Sequence, residues 1–200
     1  MSEIEQPTFK LETEVELRDK DGKLLFYQRK PAHSLLKNFA LALQGLMYAG
    51  ATSGHVTLTD TSNSTFIYPN LSLAANQILT LSDGSSDDTY GIQCGTGTAG
   101  VVSTQYQLAG KIANGNGSGQ LAYGAVTVSE VSTAEPVNTW IISRVFTNNY
   151  SASITVTEMG LVFDQNNTRF TTIARDLVSP TQTVVTSATL TLRYIFSVSA

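Results

Sequence analysis

The chain has 200 residues and a mass of 21.5 kDa, enough for one domain that buries a sizeable core without covalent staples. Charged residues make up only 14%, against about 25% in an ordinary soluble domain, while Thr and Ser fill 46 of the 200 positions. A net charge of −4 and an isoelectric point near 5.1 exclude nucleic-acid binding by clustered Lys and Arg, a hydrophobic content of 42% excludes a disordered chain, and a lone cysteine excludes an internal disulfide or a cysteine-based zinc site.

The charge is unevenly placed. Residues 1–30 hold 13 of the 28 charged residues, and the other 170 positions are about 9% charged. A body so poor in charge is suited to hiding surface against neighbouring subunits, because interface cores are depleted in Lys, Glu and Asp. Thr, Ser and Asn wetting a β-sandwich account for it equally well. The organisation expected is a charged N-terminal hairpin or arm over 1–30, a helix and connection over 31–54, and a β-sandwich over 55–200, all three compatible with one domain.

Met1–Lys10 is acidic and lacks an apolar core, so no secretory signal is expected there. Phe9, Leu11, Thr13, Val15 and Leu17 alternate with Lys10, Glu12, Glu14 and Glu16, the period of a half-buried strand. Asp19-Lys20-Asp21-Gly22 is a turn, and Lys23–Gln28 returns as a second strand. Pro31 breaks that strand, and Ser34 is placed to cap a helix. Leu35, Leu36, Phe39, Leu43, Leu46 and Met47 form its apolar stripe, with Gly50 ending it. The apolar run Leu35–Ala49 is interrupted and too short to span a bilayer.

Beyond His55 the chain is a series of short apolar runs between Gly, Asn, Ser and Asp. Strands are expected near 55–59, 65–68, 77–81, 89–94, 105–112, 121–129, 138–147, 152–163, 169–175 and 184–198. The pattern predicts a mainly β protein, an antiparallel sandwich with one amphipathic helix.

Few residues group as chemistry requires. Gly95-Thr-Gly97-Thr-Ala-Gly100 spells G-x-G-x-x-G, but no helix opens after it and no acidic residue follows at the spacing a ribose needs, so a glycine-rich connection is the better reading. His33 and His55 lack partner ligands at a metal-binding spacing, and Cys94 closes an apolar run as an inert thiol would. Asp83, Asp87 and Asp88 crowd one loop as a minority option for a weak cation site, with a solvated turn the default. Glu158 stands within the apolar strand Ile154–Phe163, where a carboxylate is costly unless paired. Arg144, Arg175 and Arg193 are the available partners; a structural ion pair with Arg175 is the first choice.

Three segments together resemble a recurrent module of tailed-bacteriophage virion proteins found in minor capsid, head-decoration, fibre and tail components. They are Gly95-Thr-Gly-Thr-Ala with Tyr106-Gln-Leu-Ala-Gly-Lys-Ile112; Phe146-Thr-Asn-Asn with Ile154-Thr-Val-Thr-Glu-Met-Gly-Leu161; and Ile173-Ala-Arg-Asp with Thr183-Val-Val and Thr189-Leu-Thr-Leu-Arg-Tyr-Ile-Phe196. The likeness spans about residues 90–198 and departs at Gln105-Tyr106-Gln107, where an acidic or small polar residue is expected before the leucine. It implies a jelly-roll sandwich that assembles as homo-oligomers on a particle, and no catalytic residues.

The leading expectation is therefore a non-enzymatic virion protein, a capsid-associated decoration or minor capsid component or a tail component. Its partners are copies of itself and the major capsid or other virion proteins, with no nucleic acid, membrane or cofactor. The alternative is a carbohydrate- or receptor-binding module using Trp140, Tyr90, Tyr123 and Tyr150. A hydrolase built on Asp60, Glu130, Glu158 and Asp176 ranks last.

Overall fold

The structure, a computed structural model, describes residues 8–32, 34–47, 56–68, 81, 84, 86–134, 136–165 and 169–199. Among them are eleven strands and one helix: β1 (Thr8–Arg18), β2 (Leu24–Pro31), α1 (Lys37–Met47), β3 (Val56–Thr59), β4 (Thr65–Tyr68), β5 (Gly91–Gly95), β6 (Ala122–Val128), β7 (Ser132–Ala134), β8 (Val137–Thr147), β9 (Ile154–Gln165), β10 (Arg169–Val184) and β11 (Thr189–Ser199). Every strand pairing is antiparallel. The mainly β, antiparallel character is thus as the alternation requires.

The larger sheet runs β2-β1-β11-β8-β6, with β7 also on β8; the smaller runs β10-β9-β5; β3 and β4 form a separate hairpin. The acidic N-terminal strand is part of the larger sheet, because β1 pairs with β11 without interruption from Thr8↔Ser199 to Arg18↔Thr189. The β1–β2 turn follows from its residues. Asp19 Oδ1 accepts from the backbone N–H groups of Asp21 and Lys23 at 3.0 and 2.9 Å, and Gly22 takes φ +80°, a value L side chains rarely adopt.

The charges of β1 meet partners on the outer face of this sheet. Arg193 of β11 donates to Glu14 at 2.5 Å and to Glu16 at 2.9 Å, Arg29 of β2 donates to Glu12 at 2.5 Å, and Tyr27 donates to Glu14 at 2.9 Å. On the opposite face Leu11, Val15, Leu17, Phe146, Leu190, Leu192, Tyr194 and Phe196 join Ile92, Cys94, Val156, Met159, Leu161 and Val178 of the smaller sheet in one core. The two sheets therefore face each other.

The second face of the smaller sheet is also covered. Residues 96–112 lie over it, and α1 and the β3–β4 hairpin follow the free edge of β10. The strand expected at 105–112 is absent: only isolated bridges occur at Lys111 and Asn114, and the apolar Leu108 and Ile112 are buried from an irregular segment.

Ser34 is not an N-cap. Residues 34–36 run along β10: Arg175 N donates to Ser34 O at 3.2 Å, Leu36 N donates to Ile173 O at 2.8 Å, and the Ser34 hydroxyl donates to Arg175 O. The helix consequently starts only at Lys37, and its packed face is Asn38, Ala42 and Gly45 while Leu43 is left 45% exposed. Ala42 packs on Val56 and Leu58, and Asn38 bonds both Thr59 and Thr172, so the helix docks on the β3–β4 hairpin and β10 together. The two strands expected at 169–175 and 184–198 are in fact β10, which continues to Val184 through a register irregularity between Leu177 and Gln182, and β11. Gly50 and the strand near 77–81, apart from Leu81, lie outside the described residues.

Candidate functional site

Glu158 and Arg175 sit side by side on β9 and β10, on the face of the smaller sheet that looks away from the core. Burial is complete for both side chains, and Arg175 Nε donates to Glu158 Oε2 at 2.6 Å. The carboxylate also gathers three backbone donors from the covering segment. Gly97 N and Gly110 N donate to Oε1 at 3.0 and 2.7 Å, and Ala109 N donates to Oε2 at 3.1 Å. Arg175 adds bonds from its two terminal nitrogens to Gln105 Oε1 and Ala99 O, each at 3.0 Å. Four donors on one carboxylate and three acceptors on one guanidinium leave the pair well satisfied, as a charge removed from water requires.

This arrangement explains the glycines of the G-x-G-x-x-G string. A Cβ on Gly95 would lie 2.5 Å from Glu158 Oε1 and 2.6 Å from Gly110 O; one on Gly97 would overlap Oε1 and lie 2.6 Å from Ala109 Cβ. At Gly100 nothing comes within 4 Å. The first two glycines thus permit close approach to a carboxylate, and no phosphate geometry is involved. Leu108 closes over Gly160 of β9, where a Cβ would collide with its Cδ1. Residues from three distant stretches of chain meet here: Gly95, Gly97, Ala109 and Gly110 from the first, Glu158 and Gly160 from the second, Arg175 from the third. Gln105 supplies a side-chain acceptor for Arg175.

Arg144, the second buried arginine, reaches backbone oxygens. Its guanidinium donates to the backbone oxygens of Gly124, Tyr90, Ile92 and Asp87 and lies 4.7 Å over the Tyr123 ring. It ties the turn before β5 to the larger sheet.

Of the loop aspartates, Asp83 lies outside the described residues, and Asp87 and Asp88 are engaged in structure. Asp87 Oδ1 accepts from Thr89 N and Oγ1, both at 2.6 Å. Asp88 accepts from Asn114 N at 2.7 Å and from Lys111 Nζ at 3.0 Å. Among the described residues no group of three or more His, Cys, Asp or Glu is arranged to hold a metal, and His33 and His55 fall outside them. No described helix is long and apolar enough to cross a membrane.

The remaining acidic candidates are held by separate partners. Asp60, in the β3–β4 turn, accepts from Ser62 and Ser64 and from Arg169 at 2.8 Å. Burial raises its pKa, but these bonds outweigh burial and leave the carboxyl below its usual range. Asp176 meets the Tyr194 hydroxyl at 3.3 Å on the core side of β10, and Glu130 is exposed beyond β6. Burial pushes the Cys94 thiol up to about 12, which makes it a poor nucleophile.

The aromatic candidates are also largely committed to packing. Tyr123 is buried and donates to Ile112 O at 2.6 Å. Trp140 stacks on Phe196 at 5.0 Å and 5°, within strand β8 instead of on a loop. Tyr90 stacks on Phe170 at 6.1 Å and 14°, and Tyr150 is half-buried. No family model, curated protein or solved structure matches the chain.

Proposed function

We propose that the chain is a non-enzymatic structural protein of a tailed-phage particle, a jelly-roll-type sandwich that packs against copies of itself and against other virion proteins. The observation that carries this reading is an apolar surface at one end of the larger sheet. Phe9 is 47% exposed and pairs with Val198, which is 39% exposed; Phe9 stacks on Phe39 of α1, one turn from Leu43. Exposed apolar groups gathered in this way are a signature of contact surfaces.

Two further features support it. The charged groups of the body, Glu158, Arg175, Arg144 and Asp88, are spent on holding segments together, and the virion-module segments meet at that framework. Non-sequential neighbours, β1 with β11 and β5 with β9, support crossed connections of the jelly-roll type.

Sedimentation of the full chain over a range of concentrations tests the reading. Concentration-dependent oligomers are expected, and Leu43→Asp, at an exposed position of α1, shifts them toward monomer while the melting temperature changes little. A chain that stays monomeric at high concentration and binds no capsid or tail protein overturns it.

A further inference from the structure

A cleft of about 190 Å³ opens beside the segment 96–112 that covers the smaller sheet. Three separate pieces of chain build it. The β3–β4 turn contributes Thr61, whose backbone N–H donates to Phe170 O at 2.8 Å; β5 and the residues before it contribute Thr89 and Gln93; the covering segment contributes Gln107, Leu108 and Lys111. Phe170 of β10 forms one wall, its ring held parallel to Tyr90.

The polar groups around it are fixed in place. Gln93 is only 4% exposed and donates its amide N–H bonds to Asp88 O at 2.8 Å and Thr89 O at 3.0 Å. That double donation sets the orientation of the amide, and its oxygen takes no hydrogen bond from any described residue. That oxygen, on a residue lining the cleft, is open to a donor from a ligand or water. Lys111 Nζ donates to Asp88 Oδ1 at 3.0 Å and Asp88 O at 2.9 Å, which leaves a third N–H and neutralises its charge locally. Gln107 is exposed at the rim and can both donate and accept.

We infer that this cleft binds a single neutral sugar ring. The volume equals about six liquid waters and falls below the 300–1,000 Å³ or so of pockets that enclose drug-sized ligands. Vicinal hydroxyls each donate and accept, matching an acceptor on Gln93, a donor on Lys111 and both on Gln107. The Phe170 ring offers an apolar plane to the C–H face of a pyranose. Because Asp88 compensates Lys111, an anionic ligand gains nothing over a neutral one. The inference does not depend on the particle reading and stands or falls separately from it.

The test is saturation-transfer NMR on the full chain with glucose, galactose, mannose, N-acetylglucosamine and glucuronate. At least one neutral ring is expected to bind with a dissociation constant of about 1–10 mM, the range for a few net hydrogen bonds and one stacked face. Gln107→Ala, at an exposed position, and Phe170→Leu each weaken it about three- to tenfold. Should Phe170→Leu perturb the fold, Gln107→Ala alone carries the test. Absence of binding by every neutral ring, affinity unchanged in the variants, or a preference for glucuronate that fades with added salt overturns the inference.

Discussion

Replacing Glu158 by Gln changes one oxygen to an NH2 group and leaves volume almost unaltered, so any effect is electrostatic. In either orientation of the new amide, its NH2 faces two donors. It meets Arg175 Nε and Ala109 N at the Oε2 position, or Gly97 N and Gly110 N at the Oε1 position. Arg175, fully buried, then keeps its charge without a counter-ion. Breaking such a pair by removing one partner costs roughly 3–5 kcal/mol. At about 2–4 °C per kcal/mol for a chain of this size, the melting temperature falls by about 6–20 °C. A second variant separates the ion pair from the clamp. Replacing a buried pair by apolar residues is often neutral. Glu158→Leu with Arg175→Met, however, also strands three backbone N–H groups and the acceptors on Gln105 and Ala99, at about 1–3 kcal/mol each. The double variant should remain destabilised. Calorimetry or thermal circular dichroism reads both. A Glu158→Gln melting point within about 2 °C of wild type, or a double variant that melts with wild type, refutes the clamp.

Two predictions concern other residues. Gly97→Ala should destabilise by about 1–3 kcal/mol, the range for overpacking, because its methyl meets Glu158 and Ala109, whereas Gly100→Ala should be silent in the same melt because nothing lies within 4 Å; equal effects would dissociate the glycines from the carboxylate. Asp60→Asn should lose about 1 kcal/mol near neutral pH through its bonds with Arg169 and Ser62. The carboxyl is held below its ordinary value of 3.8, so its contribution is complete above that value and fades as pH falls through the lower folded one. Melts at descending pH should therefore converge for wild type and variant, and a gap that persists into strong acid contradicts the assignment.

The strands were legible where one face is wet and the other dry. β1 alternates Glu with Leu and Val, and β11 alternates Leu, Tyr and Phe with Thr and Arg, so period alone locates both. Alternation misleads at 105–112. Leu108 and Ile112 are buried, but the backbone between them bonds to a side chain from a strand almost fifty residues away instead of to a neighbouring strand. The helix was recognisable, and its packed face only in part: Leu36 and Phe39 pack as the stripe requires, and Leu43 does not. The pairing of residues 34–36 with β10 delays the helix start, and the small residue Ala42, not Leu43, packs on the hairpin. Glu158 was identifiable because a carboxylate in an apolar strand must be compensated. Its three backbone donors carry no side-chain signal, and neither does the cleft beside Phe170, whose walls come from three distant parts of the chain.

The clamp also answers why a polar centre stands where apolar packing would be expected. The covering segment from Thr96 to Ile112 has no strand or helix of its own, so its backbone groups lack the partners that regular structure supplies. Only Leu108 and Ile112 of that segment are deeply buried hydrophobics. An apolar patch beneath it would leave the N–H groups of Gly97, Ala109 and Gly110 unsatisfied, and would not dictate which loop conformation settles there. One carboxylate satisfies all three at once, and one arginine fixes Gln105 and Ala99 on the other side. The ionic pair thus selects one loop conformation among many that would bury the same leucine. That conformation holds Leu108, Gln107 and Lys111 at the edge of the sugar-sized cleft, so loss of Glu158 should loosen the cleft before it unfolds the sheets.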